Sequence, residues 1–560
     1  MHGPAEKLRP ERILHRVEEL TRFHRIQGSK GLVDAVEYLR DELSNIGLSP
    51  KTHYEKYDGK SWYLTLQSPI AWDLLEGEVR FNEKTLSSEE TPLVVMAHSP
   101  PGEGEAEIVP ILNDSDWERA HGKVVLVGKN FRKAYRKANE IGAVAFVSYR
   151  EGTDDAVPYI GLFLTEEDLK WAKIPAFAVP ESWAKKIISD YLSGKKPRLS
   201  FRAVTEIKSS EKLPILYTEI GEPPFILLTA HICHPRPGAN DNASGSAMLV
   251  ELAEVLSKVY KSDFRFGFAF LWIPEYYGSQ AFIERKVEPN DYYSAINLDM
   301  IGGSEDRSGS TVMLVRTPLS RFSIVSGVLE YFLKRHNLSS KKSLSGSEIP
   351  AVKFRAYPYE MGSDHDVFNF FGIPSVMPIT WPDRFYHSNM DTPEKLSMES
   401  LAIIGRSVLS SVIFLAGEDE EKLRRFARGY SLKYLGELAM ERETEMAEKL
   451  VMLGLSRDSK FTGMDIGYEF EKTPWLRWKL RGRIGEDIIK NKAPERLDEF
   501  EKLTEERKAL INLHELVMLG ELLPKDEAYK ALSEEYGEIE KSTLEVLIGL
   551  LEEAEIVETL

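Results

Sequence analysis

The chain has 560 residues, of which 42% are hydrophobic and 29% are charged. One hydrophobic core rarely organises so long a chain, so we expect roughly three or four domains. The formal net charge of −17 argues against a nucleic-acid-binding protein, because such proteins present basic surfaces. The single cysteine, Cys233, excludes an intramolecular disulfide and argues against a cysteine-ligated structural zinc site.

The beginning of the chain is polar. The residues MHGPAEKLRPER contain no apolar segment of the kind found in signal peptides. We also find no apolar run that approaches the roughly 20 residues needed to span a bilayer. We therefore expect a cytoplasmic protein without a membrane partner.

Residues 1–70 predict helices followed by strands, as the N-terminal part of a larger domain. Ile13, Val17 and Leu20 recur at helical spacing, and a second helix is predicted from Leu32 onwards. Residues 71–205 change character, because short apolar segments such as VVLVG, AVAFVSY and IPAFAVP alternate with short helices. This segment carries no cluster of catalytic residue types, so we interpret it as a separate inserted module.

Residues 206–418 predict an α/β domain around a mostly parallel sheet. The apolar segments FILLTA, RFGFAFLWI, YSAINL and GIPSVMPIT are its predicted buried strands, and residues 243–260 form a strongly periodic helix. Residues 419–560 are mostly helical and highly charged. We expect this C-terminal extension to serve in assembly or as a lid over the site.

Possible metal ligands follow the predicted buried strands. FILLTA leads to His231, RFGFAFLWI to Glu275, YSAINL to Asp299 and GIPSVMPIT to His387, while Asp241 stands in the segment GANDNASG. The carboxyl ends of parallel strands meet at one edge of a sheet, where ligands bind. Two imidazoles and three carboxylates at that edge suit one or two zinc ions.

Each of these residues also has an ordinary structural interpretation. Asp241 is a possible N-cap for the helix that follows it, and Glu275 and Asp299 are possible loop carboxylates without a ligand. The occurrence of five such residues in order, each where a strand or loop ends, favours the metal site.

These motifs together resemble the family of co-catalytic zinc aminopeptidases, which includes bacterial leucyl aminopeptidases, glutamate carboxypeptidase and glutaminyl cyclases. The segments that carry the likeness are GANDNASG, PEYYGSQAF, NLDMIG and YHSNMDTPEKL. The likeness covers residues 10–70 and 206–415, and residues 71–205 resemble a protease-associated domain. It implies the zinc exopeptidase fold, a mostly parallel central sheet flanked by helices.

The resemblance also implies residue roles. His231 and Asp299 are expected to hold one zinc ion, His387 and a glutamate the other, and Asp241 to bridge them. A glutamate is expected to act as the base in hydrolysis by a metal-activated water.

The first of two departures from the family concerns the residue two positions after His231. The family has an aspartate there, which orients the imidazole, but this chain has Cys233. We interpret Cys233 as a small buried filler, so that His234 or a backbone carbonyl orients the ring.

The second departure is the loss of one of two adjacent glutamates, since Pro274 precedes Glu275. If Glu275 is the ligand, the base has to come from elsewhere, with Glu360, Asp364 and Asp366 as candidates. If Glu275 is the base, a site with one metal ion becomes the simpler arrangement.

The resemblance predicts a zinc-dependent aminopeptidase that acts on small peptides and forms a homo-oligomer. Two alternatives stay open at this point: a glutaminyl-cyclase-like acyltransferase on the same scaffold, and a non-catalytic binding protein with a peptidase fold. The nearby aromatic residues line an apolar substrate pocket or belong to the core, and we expect the latter for two of them, Phe368 and Phe371; the others are Tyr276, Tyr277 and Phe370.

Overall fold

A computed structural model describes residues 3–286, 288–338, 341–464 and 471–560. Its largest sheet has eight strands among these residues. In spatial order they are Lys51–Tyr57, Glu211–Ile220, Gly267–Ile273, Phe225–His231, Tyr292–Asn297, Ser375–Trp381, Thr311–Val315 and Phe354–Tyr357.

The four inner strands of this sheet are parallel to one another; they are Gly267–Ile273, Phe225–His231, Tyr292–Asn297 and Ser375–Trp381. They correspond to the four apolar segments of the sequence, and their residues are buried almost throughout. The pairings outside them are antiparallel, except that of Thr311–Val315 with Phe354–Tyr357. The predicted α/β fold is confirmed, with a sheet that is mixed at its margins.

Helices flank this sheet. Helix Lys30–Asn45 begins after Ser29, whose side chain accepts a hydrogen bond from the Leu32 amide. Helix Gly245–Val259 follows strand Phe225–His231 in the chain and is buried along most of its length. The other helices here are Pro10–Leu20, Tyr277–Lys286, Glu305–Ser308, Ile324–Leu338, His365–Phe370 and Met398–Gly417.

Helix Met398–Gly417 corrects the expectation that no apolar run approaches membrane-spanning length. It has 20 residues and is, by length and composition, the one such candidate among the described residues. However, 78% of its apolar window is buried inside the fold. It packs against helix Ile324–Leu338, which is the ordinary behaviour of a core helix.

The inserted segment forms a second sheet with its own hydrophobic core. The two longest strands, Ala71–Phe81 and Arg198–Lys208, pair with each other, and the second extends three residues beyond the predicted boundary at 205. Helices Phe131–Ile141 and Glu181–Leu192 complete the module. Its remaining strands are Lys84–Ser87, Gly102–Pro110, Val124–Val127, Ala145–Ser148 and Ala176–Ala178.

The C-terminal region is helical, as predicted, but it is not separate in its packing. Leu516 and Leu547 belong to the same continuous core as the central sheet. Asp458 accepts a hydrogen bond from the Ile324 amide over 2.8 Å, which ties the region to helix Ile324–Leu338. Its helices are Glu420–Ala439, Glu445–Thr462, Glu486–Lys492, Leu497–Leu503, Arg507–Gly520, Lys525–Tyr536 and Lys541–Glu553, and Leu476–Trp478 pairs with Val557–Thr559.

Candidate metal centre

The five predicted ligands meet at the carboxyl edge of the inner strands. His231 is the last residue of its strand, and Glu275 and Asp299 each stand two residues beyond theirs. Asp241 lies in the turn Ala239–Ser244. His387 follows strand Ser375–Trp381 by a short loop and comes within 3.0 Å of Asp241.

One half of the centre surrounds His231. Its Nε2 atom lies 3.3 Å from Asp241 Oδ1 and 3.3 Å from Asp299 Oδ1. Potential ligand atoms of His231, Glu275 and Asp299 lie within 4.8 Å of one another. We call these three residues the strand-end group.

The other half lies across Asp241. Asp241 Oδ2 is 3.0 Å from His387 Nε2 and 3.4 Å from His234 Nε2. Ligand atoms of His234, Asp241 and His387 also lie within 4.8 Å of one another. We call His234 and His387 the loop group; Asp241 presents one carboxylate oxygen to each group.

Two of the imidazoles are held by backbone carbonyls. His231 Nδ1 lies 3.1 Å from the Cys233 carbonyl oxygen, and His234 Nδ1 lies 2.9 Å from that of Pro235. Since a carbonyl only accepts, each Nδ1 carries the proton and donates it. Each ring thus turns Nε2 towards carboxylate oxygens, and this nitrogen would be the one to bind a metal ion, as in metal-binding histidines.

The Cys233 carbonyl therefore takes the orienting role that the missing aspartate left open. The Cys233 thiol has a different contact, because it accepts a hydrogen bond from the Glu275 amide over 3.0 Å. Burial raises the pKa of the thiol, so it stays protonated at neutral pH. These contacts fit the interpretation of Cys233 as a buried structural residue.

The turn that carries Asp241 is fixed by side chains. The amides of Asn240 and Asp241 donate to the two carboxylate oxygens of Asp391 over 2.8 and 3.0 Å. Asn242 Nδ2 donates to the Leu298 carbonyl over 2.8 Å, next to Asp299. The bridging carboxylate is thus positioned before any ion binds.

Glu275 is partly buried and lies among negative charges. Burial raises its pKa to about 8, Asp299, Asp364 and Asp241 add to the rise, and His231 opposes it. Burial would lower the pKa of His231, but Asp299, Glu275 and Asp241 raise it well above its usual value. The cluster holds more negative charge than its imidazoles balance, which a divalent cation would correct.

The three alternative bases differ in their availability. Asp366 is saturated, because its oxygens accept from Tyr276, Tyr359 and the Gly362 amide. Asp364 Oδ1 accepts from Ser279 and from the Tyr276 amide, whereas its Oδ2 is buried without a hydrogen-bond partner among the described residues. Glu360 is exposed on the surface.

The donor set fits zinc. Imidazole nitrogens and carboxylate oxygens are the ligands that catalytic zinc sites use. Within the described part of the chain, Asp299 Oδ1 and His234 Nε2 are buried and have no hydrogen-bond partner. Buried polar atoms are rarely left unpaired unless they bind something, so both atoms are suited to a metal ion.

Comparison with known proteins agrees with this geometry. Residues 217–412 match the family model of peptidase family M28. The chain contains an M28 peptidase domain. It is 27% identical over 376 residues to aminopeptidase YwaD of Bacillus subtilis, across 61% of this chain and 76% of that protein.

Solved structures share the fold of the M28 domain. A zinc aminopeptidase from Bacillus subtilis matches with a TM-score of 0.54 and 16% identity, over 74% of this chain and 96% of that one. A peptidase M28 precursor from Shewanella amazonensis matches with a TM-score of 0.54 and 17% identity, over 74% and 95% of the two chains.

The inserted module covers the loop group of the M28 domain with the side chain of Tyr159. The Tyr159 ring lies 5.2 Å from the His234 ring and 5.1 Å from the His387 ring, measured between centroids. The Tyr159 amide donates to the His387 carbonyl over 2.6 Å. This bond holds His387 in a left-handed conformation, with φ of +52°.

The C-terminal region borders the M28 site from another side. The guanidinium of Arg483 lies 4.4 Å from the centroid of the Tyr276 ring, directly after Glu275 in the chain. The Arg483 amide donates to Gln280 over 3.2 Å. Residues from all three parts of the chain therefore surround the metal centre.

The aromatic residues near the motifs are mostly structural. Phe368 and Phe370 are fully buried, and Tyr277 is 9% exposed. The Tyr276 hydroxyl donates to Asp366 over 2.7 Å. Phe371 is partly buried and packs against the core, so none of these rings forms an open pocket wall.

Sequence reasoning missed two residues at the M28 site. Asp391 lies in the segment YHSNMDTPEKL but was not singled out as a site residue, although it holds the turn that carries Asp241. Tyr159 lies in a module without catalytic motifs, so only the three-dimensional packing of that module reveals it. Of the two candidates for orienting His231, a backbone carbonyl and His234, the structure places the Cys233 carbonyl against the ring, whereas His234 faces Asp241.

Proposed function

We propose that this protein is a zinc-dependent aminopeptidase that removes N-terminal residues from small peptides. One observation carries the proposal: His231 and His234 donate from Nδ1 to backbone carbonyls and turn Nε2 towards the shared carboxylate of Asp241. A buried arrangement of this kind has no structural use without a cation. The M28 family match and the aminopeptidase named among the relatives support the same activity.

The residues divide the task between them. His231, Asp299, Asp241 and His387 would hold zinc, which supplies Lewis acidity for the scissile carbonyl and acidifies a water molecule. Glu275, the third member of the strand-end group, is the base that removes a proton from the attacking water and returns it to the leaving amine.

The surroundings of the centre support small substrates. Tyr159 covers the loop group and Arg483 stands beside Tyr276, so the inserted module and the C-terminal region narrow the approach. The excess of carboxylates offers a counter-charge for the free α-ammonium group of a peptide. A chain end with a positive charge is therefore favoured over an internal peptide bond.

Three further parts of the proposal rest on the sequence. We propose that the inserted module is a protease-associated domain, that the protein is cytoplasmic, and that it forms a homo-oligomer. A single buried cysteine and an acidic surface support a reducing cellular compartment. Light scattering on the full chain measures the assembly state, and a monomer at micromolar concentration would contradict self-association.

The decisive assay compares two peptides. A leucine-containing tripeptide with a free N-terminus and its N-acetylated form are incubated with the zinc-loaded protein, and free amino acids are quantified. We expect release of leucine only from the unblocked peptide. The His231→Ala variant should be inactive, whereas His15→Ala, at an exposed histidine with a side chain 72% accessible, should match the wild type.

Other outcomes assign the protein elsewhere. Equal cleavage of the acetylated peptide would exclude an aminopeptidase. Cyclisation of an N-terminal glutamine without peptide cleavage would support the acyltransferase alternative. Zinc binding without either reaction would leave a binding protein on a peptidase fold.

A further inference from the structure

We infer that His234 is a ligand of the second zinc ion and replaces the missing glutamate, which leaves Glu275 free as the base. This inference rests on the proposed function, because it assigns residues within the same metal centre. It departs from the role that the family resemblance implies, in which a glutamate joins His387.

The distances place His234 where that ligand is needed. His234 Nε2 is 3.4 Å and His387 Nε2 is 3.0 Å from the same oxygen, Asp241 Oδ2. The centroids of the two imidazole rings are 5.4 Å apart. Three donor atoms from two loops and one turn thus surround a single point.

Glu275 lies in the other half of the centre. Its carboxylate belongs to the strand-end group with His231 and Asp299. It is not part of the set formed by His387, His234 and Asp241. Glu275, the one glutamate where the family has two, therefore does not supply a ligand to the loop group.

Backbone contacts fix the position of the His234 ring. The amide and carbonyl of His234 pair with those of Arg25 over 2.9 and 3.0 Å. At Gly238, which has φ of +54°, a Cβ atom would lie 2.4 Å from His234 Nδ1. Glycine at this position lets the loop close over the imidazole.

The ring also points with its free nitrogen into the centre. Nδ1 donates to the Pro235 carbonyl over 2.9 Å, which leaves the Nε2 lone pair unused. Nε2 is buried and has no hydrogen-bond partner among the described residues. It faces Asp241 Oδ2 over 3.4 Å, and since this carboxylate oxygen only accepts, a metal ion between the two atoms would bind both.

Counting ligands supports the assignment. His231, Asp299 and Asp241 give one ion three protein ligands, and His234, His387 and Asp241 give the other ion three. Catalytic zinc sites typically have three protein ligands and one open position. Glu275 is then not needed as a ligand, although its carboxylate stays close enough to act on a water molecule.

Metal binding without substrate tests the inference. The zinc-free wild type, His234→Ala, Glu275→Gln and His15→Ala are titrated with zinc, and with cobalt(II), whose visible spectrum reports its coordination. Circular dichroism confirms that each variant is folded. His234→Asn serves as a second variant if the alanine variant does not fold.

We expect the wild type, His15→Ala and Glu275→Gln to bind two ions per chain. Loss of a group that only supports a ligand costs roughly 10- to 100-fold in metal affinity. Removal of His234 should weaken one of the two ions by at least that factor and change the cobalt spectrum.

Two results would overturn the inference: two ions bound to His234→Ala with unchanged affinity and spectrum, or loss of one ion from Glu275→Gln. Neither depends on hydrolysis. A wild type that binds two ions through His234 but cleaves no peptide would instead contradict the proposed function.

Discussion

The strand-end group and the loop group contact the same carboxylate but are supported differently. His231 and Asp299 follow buried parallel strands and are 2% and 6% exposed. His234 and His387 stand on loops, and the His387 side chain is 28% exposed. His231 and Asp299 are fixed by the sheet, whereas His387 depends on the inserted module, whose Tyr159 amide bonds to its carbonyl. We therefore expect the half of the centre that contains His387 to be the more adjustable one.

Loss of the Asp241 carboxylate should prevent metal binding by both groups. Asp241→Ala removes the carboxylate that faces both groups, so we expect loss of both ions and a fall of activity to background. Elemental analysis and the tripeptide assay measure this. Retention of one tightly bound zinc would mean that the two groups are independent. His15→Ala is the matched control.

Loss of the base should leave both groups intact. Glu275→Gln keeps the size of the side chain but cannot accept a proton, and general-base catalysis contributes about 10²–10⁴-fold. We expect kcat to fall within this range while zinc content stays unchanged. Kinetics and zinc analysis on the same sample provide the measurement, and a variant with near-normal kcat would exclude Glu275 as the base.

Removal of the Tyr159 ring should affect the loop group alone. Tyr159→Ala deletes the ring over His234 and His387 but keeps the backbone hydrogen bond to His387. We expect faster exchange of one zinc ion and about a fivefold higher KM, as expected where a covering aromatic contact contributes about 1 kcal/mol. Tyr191→Ala, at a partly exposed tyrosine elsewhere in the module, is the control. Equal exchange rates for both ions would contradict the division.

The thiol beside the strand-end group should matter little. The Cys233 carbonyl orients His231, and this contact survives in Cys233→Ala. We expect both zinc ions to be retained and kcat/KM to fall less than about tenfold, far below the loss expected from removing the base. A fall similar to that of Glu275→Gln would show a catalytic thiol. Wild-type resistance to iodoacetamide is the parallel check, since burial raises the pKa of the thiol.

Two buried carboxyl groups in the C-terminal region, Glu515 and Glu535, should affect the stability of the fold without affecting metal binding. Glu515 accepts from the Ser320 amide over 2.8 Å, and Glu535 accepts from the Leu319 amide over 3.1 Å. Burial raises the pKa of Glu515 to about 7, and burial and Glu515 together raise that of Glu535 well above its usual value.

The sign of the pH effect follows from these shifts. A carboxyl whose pKa is raised on folding stabilises the fold fully below its unfolded pKa, about 4.3, and loses that contribution as pH rises through about 7. Glu535→Gln should therefore raise the melting temperature at pH 8, by a few degrees, and have little effect at pH 5. Zinc content should not change. A stability gain that is the same at both pH values would contradict the raised pKa values of the two carboxyl groups.

The sequence predicted the rigid half of this centre well. Four apolar segments predict strands, and the ends of parallel strands meet, so the sequence alone predicts that His231, Glu275 and Asp299 lie close together. Loop residues have no such rule. His234 lies three residues after His231, and nothing in a linear pattern distinguishes a ring that orients another from one that faces a metal.

Tertiary packing explains the other differences. The antiparallel margins of the sheet, such as Lys51–Tyr57 beside Glu211–Ile220, join segments on either side of the inserted module. The C-terminal helices were predicted as such, but the burial of Leu516 in the common core depends on partners far away in the chain. Local periodicity carries no information on which apolar faces meet.

Zinc content and activity of the same wild-type sample test the central claim most directly. The purified protein is analysed for zinc per chain, assayed with leucine p-nitroanilide, treated with a chelator and then resupplied with zinc. We expect about two zinc ions per chain, as for co-catalytic sites with two ions, loss of hydrolysis on chelation and its return with zinc. Hydrolysis that persists in a zinc-free sample would contradict the account.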